Sequence, residues 1–286
     1  MKNLKPYSGN SIDLYSAAVA RKRDGVVKDR LKEIENEISL CFDSYQENFQ
    51  HNTLLELHPK GFVAPCKDDL LSLYDYDSFT IREFRKNLKK QQSRGVKSIC
   101  QNCTIDSVGT LDHIVPKEEF PEFAVNPQNL FPCCSKCNSH KSDNWKDTDK
   151  GLFLNLYLDQ LPKEQYLFVQ IEGDDLDDID FQYYLENRNG IDRSLFELIE
   201  SHYTRLHLLE RMNSKAVDEF DKLLVDIQSH IEGLSMEEVI QTVTTEANKL
   251  KQIYGYNHWL PVLKLAIIDN EVILESLGMK QKILTV

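Results

Sequence analysis

Cys100-Gln-Asn-Cys103 and Cys134-Ser-Lys-Cys137 are two C-x2-C pairs separated by 30 residues. Two residues between thiolates let both sulfurs reach one tetrahedral Zn2+ at about 2.3 Å. Four thiolates close the coordination shell, so the zinc predicted here is structural, with no open position for substrate. Cys133 offers an alternative to Cys134, although it lies one residue too far from Cys137 for a tight pair. A second set of residues lies among these cysteines: Leu111-Asp112-His113-Ile114-Val115-Pro116, Asn126-Pro-Gln-Asn129-Leu130, and Asn138-Ser-His140-Lys141-Ser-Asp143. Adjacent residues on a strand point to opposite faces. One of Asp112 and His113 could therefore hold a metal while the other meets an attacking water. Asn138, on a helix predicted to begin near Ser135, could bring a carbonyl oxygen to the same metal. Oxygen ligands with open positions suit Mg2+ or Mn2+. An ordinary histidine, with a pKa near 6.5, takes a proton from water at neutral pH.

The order Cys-x2-Cys, Asp-His-Ile-x-Pro, Asn-Leu, Cys-x2-Cys-Asn-x2-Lys over residues 98–146 resembles the zinc-stabilised HNH endonucleases. The stretch from Asn138 to Asn144 is also similar to the HNH domain of CRISPR effector nucleases. The resemblance implies a ββα-metal fold, a β-hairpin and a helix that clasp one divalent ion. It implies that Asp112 and Asn138 are metal ligands and His113 the general base. Asn129 would hold the loop and orient the histidine, and Lys141 would contact a phosphate. The expected reaction is in-line hydrolysis to 5′-phosphate and 3′-hydroxyl ends. His140 is a further candidate ligand. The chain departs from the family in one place, carrying Glu118-Glu119-Phe120-Pro121 where a Gly-Gly pair is common.

Several elements must position these residues. Val27, Leu31, Ile34, Ile38, Cys41, Phe42 and Tyr45 have helical spacing and predict one helix over 26–50. Thr80-Ile-Arg-Glu83 fits a capping box and starts a predicted helix 80–94 that stops at Gly95. That helix carries Arg82, Arg85, Lys86, Lys89 and Lys90 just before the first cysteine pair, which suits contacts to a nucleic-acid backbone. Tyr166–Glu172 and Phe181–Leu185 read as strands joined by an acidic turn. Further helices are predicted at 195–209, 214–232, 235–252 and 261–276, with a second capping box at Ser235. The fold expected is α+β, mostly α: a helical region 1–95, a central ββα-metal domain 96–150 and a mainly helical region 151–286 with a strand pair.

The 286 residues carry a net charge of -12. Residues 1–77 contribute -3, residues 78–150 contribute +3 and residues 151–286 contribute -12. The overall balance argues against nonspecific coating of nucleic acid, and only the cysteine-bearing segment is positive. No apolar run is long enough to cross a membrane. No leader is legible, and clustered cysteines point to a reducing compartment, hence the cytoplasm.

The reading is a metal-dependent endonuclease with DNA favoured as substrate. An RNA- or tRNA-cleaving nuclease and a noncatalytic zinc module for nucleic acid or a partner are the alternatives. The layout, an HNH core with a large helical C-terminal region, is similar to the HNH subunits of phage-defence systems such as Septu. That implies an ABC-type ATPase as partner.

Overall fold

A computed structural model describes residues 1–231 and 233–278. The chain forms two compact units, one of Asn3–Gln160 and one of Met1–Lys2 with the residues from Leu161 on.

In the first unit, α1 (Ile12–Ala20), α2 (Val26–Glu33), α3 (Glu35–His51), α4 (Cys66–Leu71) and α5 (Phe79–Gln91) precede the hairpin. Tyr15, Leu31, Ile38, Tyr45 and Ile81 are fully buried and form its core. The single helix expected over 26–50 is broken at Ile34, with φ -91° and ψ 1°. No Pro or Gly marks the break. Tertiary contacts accompany it: Arg30 on α2 donates to the buried carboxylate of Asp69 on α4 at 2.7 Å.

Helix α5 starts earlier than its capping-box pattern suggests. Ser78 is the cap, its Oγ accepting from the Ile81 amide at 3.3 Å, and Thr80 is buried inside the first turn. The helix ends at Gln91 rather than running on to Gly95. Gln92 is extended, and its side chain pairs with both backbone groups of Lys5, at 2.9 and 2.8 Å. A long-range contact stops this helix before its glycine.

Strands β1 (Thr110–His113) and β2 (Leu130–Cys133) form an antiparallel hairpin in which Asp112 faces Phe131 and His113 faces Leu130. Helix α6 (Ser135–Lys141) follows and packs on β1. Two short strands, β3 (Lys146–Asp147) and β4 (Lys150–Gly151), pair beyond it. The segment replacing the Gly-Gly pair is well packed. Phe120 is fully buried, stacks on Phe123 and meets Trp145 edge-on, while Glu119 accepts from the Trp145 indole at 3.2 Å.

In the second unit, β5 (Leu167–Glu172) and β6 (Asp180–Leu185) pair antiparallel, as their alternation predicts. Asp175 caps their acidic connection by accepting from the Asp177 and Asp178 amides. Helices α7 (Arg193–Arg205), α8 (Leu208–Ile231), α9 (Met236–Tyr254), α10 (Trp259–Ile268) and α11 (Glu271–Ser276) follow. Helix α8 packs on β6, α10 packs on β5, and α9 packs on α10. The Ser235 capping box forms. Helix α8 begins at Leu208, earlier than expected, directly after His207 adopts φ 51°. The helix expected over 261–276 is two helices, because the Asn270 carboxamide caps a new start by accepting from Ile273 at 3.0 Å. No helix among the described residues is long and apolar enough to cross a membrane.

His258 caps α10 with a ring nitrogen that accepts from the Leu260 amide at 3.2 Å. Burial holds its pKa down at about 3, with help from the N-terminal amine. The unfolded chain therefore binds a proton near pH 6.5 that the folded unit refuses. Stability is unaffected above pH 6.5 and falls as pH drops from there toward 3, by roughly 3 kcal/mol at pH 4.5. His258→Asn keeps a capping oxygen and should flatten this slope. Urea midpoints at pH 7.5 and 5, read from Trp259 fluorescence in a Trp145→Phe background, measure it. Equal slopes in variant and parent would show that His258 is not the sensor.

Candidate functional site

The first cysteine pair sits on a tight knuckle. An isolated bridge joins Ile99 to Ser107, and Thr104 closes the turn in a left-handed conformation at φ 59°. The Ile105 amide donates to Cys103 Sγ, and the Cys137 amide donates to Cys134 Sγ, each at 3.4 Å. Amide donors of this kind favour thiolates. Cys134 thereby becomes the N-cap of α6, so one sulfur starts the helix and joins the cluster.

Cys100, Cys103, Cys134 and Cys137 are all buried, with their sulfurs within 4.8 Å of one another. Tetrahedral zinc with bonds of about 2.3 Å needs sulfurs about 3.8 Å apart; Cys103 and Cys134 are 3.9 Å apart. The donor set fits a structural zinc. The open choice between Cys133 and Cys134 falls to Cys134, because Cys133 lies on β2 outside the tetrad.

Asn129 is fully buried and uses both ends of its carboxamide. Its Oδ1 accepts from the Val115 amide at 2.8 Å and from Tyr45 Oη at 3.2 Å. Its Nδ2 donates to the carbonyls of Val115 and Phe123, at 3.0 and 3.2 Å. These bonds fix the chain that leaves His113.

His113 is buried at the end of β1, with Tyr74 edge-on at 4.6 Å. Its Nε2 lies 2.9 Å from the Ala124 carbonyl. A carbonyl can only accept, so Nε2 carries the hydrogen and Nδ1 keeps the lone pair. Burial pulls the imidazole pKa down to about 3, which keeps the ring neutral.

Asp112 points to the opposite face of β1, toward α6. Lys141 Nζ lies 3.2 Å from Asp112 Oδ1 and 2.7 Å from the His113 carbonyl. Burial pushes the Asp112 carboxyl up, and the Lys141 ammonium pulls it back. Asn138 lies three residues before Lys141 in α6 and so shares its face, one turn toward the helix start. It is half-buried, and its carboxamide makes no hydrogen bond to a described residue. A carboxylate and an idle amide oxygen on facing elements are the hard donors that suit Mg2+ or Mn2+. His140 is exposed.

The structure therefore gathers Asp112, His113, Asn129, Asn138 and the tetrad around one hairpin and one helix. Lys141, expected to meet a phosphate, is buried with its ammonium turned onto Asp112. Arg82, Arg85, Lys86 and Lys89 line a separate groove, and Lys90 lies outside it. Sequence reasoning did not single out Tyr74 or the Ala124 carbonyl. Neither carries a local signal, since each meets His113 only through the fold.

The Lys141 pair makes a prediction. Lys141→Met removes a cation from beside Asp112 and leaves a buried carboxylate without its partner. Such a loss costs about 3–5 kcal/mol, and a divalent ion bound at Asp112 would offset part of it. The variant should melt lower than wild type but gain more from added Mn2+. Melting temperatures of zinc-loaded protein with and without Mn2+ test this; equal Mn2+ shifts would mean that Lys141 does not compete with an ion.

Residues 100–144 match the family model described as HNH endonuclease. The Septu protein PtuB of Bacillus thuringiensis is 23% identical over 177 residues, covering 55% of this chain and 68% of that protein. No solved structure gives a significant match. The matched segment begins at the first zinc-type cysteine and ends just past Lys141, so the match to the HNH endonuclease model covers the ββα unit around Asp112 and His113.

Proposed function

We propose that the chain is a metal-dependent HNH endonuclease that hydrolyses nucleic-acid phosphodiesters, with DNA the favoured substrate. The observation that carries this reading is the fixed tautomer of His113: Nε2 is spent on the Ala124 carbonyl, leaving the Nδ1 lone pair as a base on the residue that follows Asp112 in β1. Asp112 and Asn138 would hold the divalent ion. When bound, that ion supplies Lewis-acid stabilisation of charge on the scissile phosphate and the leaving 3′ oxygen. His113 Nδ1 takes the proton of a water attacking in line. Asn129 keeps the imidazole in register by clamping Val115. Helix α5 offers cations for the phosphate backbone.

Likeness to a Septu protein supports a place in a bacterial phage-defence complex; the resemblance in layout adds an ABC-type ATPase as partner, and the clustered thiols add the reducing cytoplasm as setting. The experiment is cleavage of plasmid DNA and of total RNA by zinc-loaded protein, with Mg2+, with Mn2+ or with neither, alone and together with a co-expressed ATPase from the same host. Cutting that requires the divalent ion supports the nuclease, and the substrate cut decides DNA against RNA. No cutting under any of these conditions would refute the reading and leave a noncatalytic zinc module.

A further inference from the structure

Beside the hairpin, within the first unit, lies a groove of about 460 Å³. That volume falls in the range of small-molecule sites, roughly 300–1,000 Å³. One wall is the face of α5 that carries Arg82, Arg85, Lys86 and Lys89, spaced to project together. Lys97 adds a fifth cation from the segment leading to the zinc knuckle. Arg82, Lys89 and Lys97 make no side-chain hydrogen bond or ion pair with any described residue. Lys86 has only an exposed Glu83 at 3.6 Å. Five cations converge here, and Glu83 beside Lys86 is the one acidic partner they have among the described residues.

The floor has a different character, being built from Leu4, Leu88, Val96, Val108 and Leu111. Phosphates alone have no use for it. At the rim, Arg85 Cζ lies over the Tyr76 ring, 3.6 Å from its centroid, and Nη1 donates to the Tyr76 carbonyl at 3.1 Å. The pair presents an aromatic ring and a guanidinium, the groups on which an unstacked base lies. In a duplex the base faces are stacked on one another, and a protein meets only phosphates, sugars and base edges. The groove also runs along β1 through Thr110 and Leu111, and the next residue is Asp112. A strand seated in it would run beside the stretch of β1 that leads into Asp112, the proposed metal ligand.

We infer that this groove takes an unpaired nucleotide of a single-stranded segment of substrate, its base on the Tyr76–Arg85 surface and its phosphates on Arg82, Lys89 and Lys97. The inference rests on the nuclease reading and deepens it. Its test is binding without a divalent ion, so it is independent of cleavage. Zinc-loaded protein is titrated into labelled dT12, rU12, an abasic 12-mer and a 12-base-pair duplex, read by fluorescence anisotropy. A T- or U-containing strand should bind at least about tenfold more tightly than the duplex and the abasic strand. Tyr76→Ala should remove that advantage and leave abasic binding unchanged, and Tyr76→Phe should retain it. Lys89→Glu with Lys97→Glu should weaken every probe and flatten the salt dependence.

Duplex binding equal to single-strand binding, or an advantage that survives Tyr76→Ala, would overturn the inference. So would absence of binding by any probe. Metal-dependent cutting could persist in each case, so the nuclease reading would be judged separately. Zinc content at wild-type level certifies that each variant has folded.

Discussion

Replacing His113 by glutamine should slow metal-dependent cleavage by about 10²–10⁴-fold, the usual contribution of a general base. Glutamine is the informative choice because its amide can still donate to the Ala124 carbonyl, now bonded to Nε2 at 2.9 Å. It therefore keeps the fold's contact and removes only the basic nitrogen. Alanine removes both and leaves a cavity against Tyr74. If the two variants are equally slow, loss of the base is the cause. If glutamine cuts at the wild-type rate, some other group activates the water. The neutral state of the ring is already secured by burial, which draws its pKa to about 3. Metal content and melting temperature, measured alongside, separate lost chemistry from lost structure.

The second large effect is expected at the zinc cluster. Cys137→Ser should abolish stoichiometric zinc and unfold the hairpin region. Structural zinc in small peptides contributes about 10–16 kcal/mol, as much as the whole stability of a typical domain, about 5–15 kcal/mol. Little else is available locally: β1 and β2 have four residues each, and an isolated two-stranded hairpin is marginal in water. Losing the cluster also loses the sulfur cap of α6 and with it the placement of Asn138. Cys133→Ala is the control, because Cys133 lies outside the tetrad. It should keep its zinc. Elemental analysis, with Trp145 fluorescence reporting the fold, reads both variants. A Cys137→Ser protein with full zinc content would refute the four-sulfur site.

Legibility from sequence followed the range of the interactions. The tetrad, β1 and α6 were readable because ligand spacing, alternation and the Cys134 start are all local. The strand pair in the second unit was readable for the same reason. The break at Ile34 was not, because no residue type there disfavours helix. The end of α5 depends on Lys5, far away in sequence. Ser78 displaced the Thr80 capping pattern because the hydroxyl actually used lies two residues earlier. At the site, residue types predicted donors but not their orientation. Lys141 has the composition of a phosphate contact, yet its distance from Asp112 is set by how α6 lies on β1. Tyr74 beside His113 had no local signature at all.

The carboxamide oxygen of Asn129 accepts a hydrogen bond from Tyr45, a residue 84 positions earlier on α3. The loop that aims the base is thus braced by a helix that lies outside the matched segment 100–144. That segment is not a portable cassette. Excised, it would keep its zinc ligands and its Asp-His pair but lose the brace, and grafts or truncations that keep function must carry α3 along.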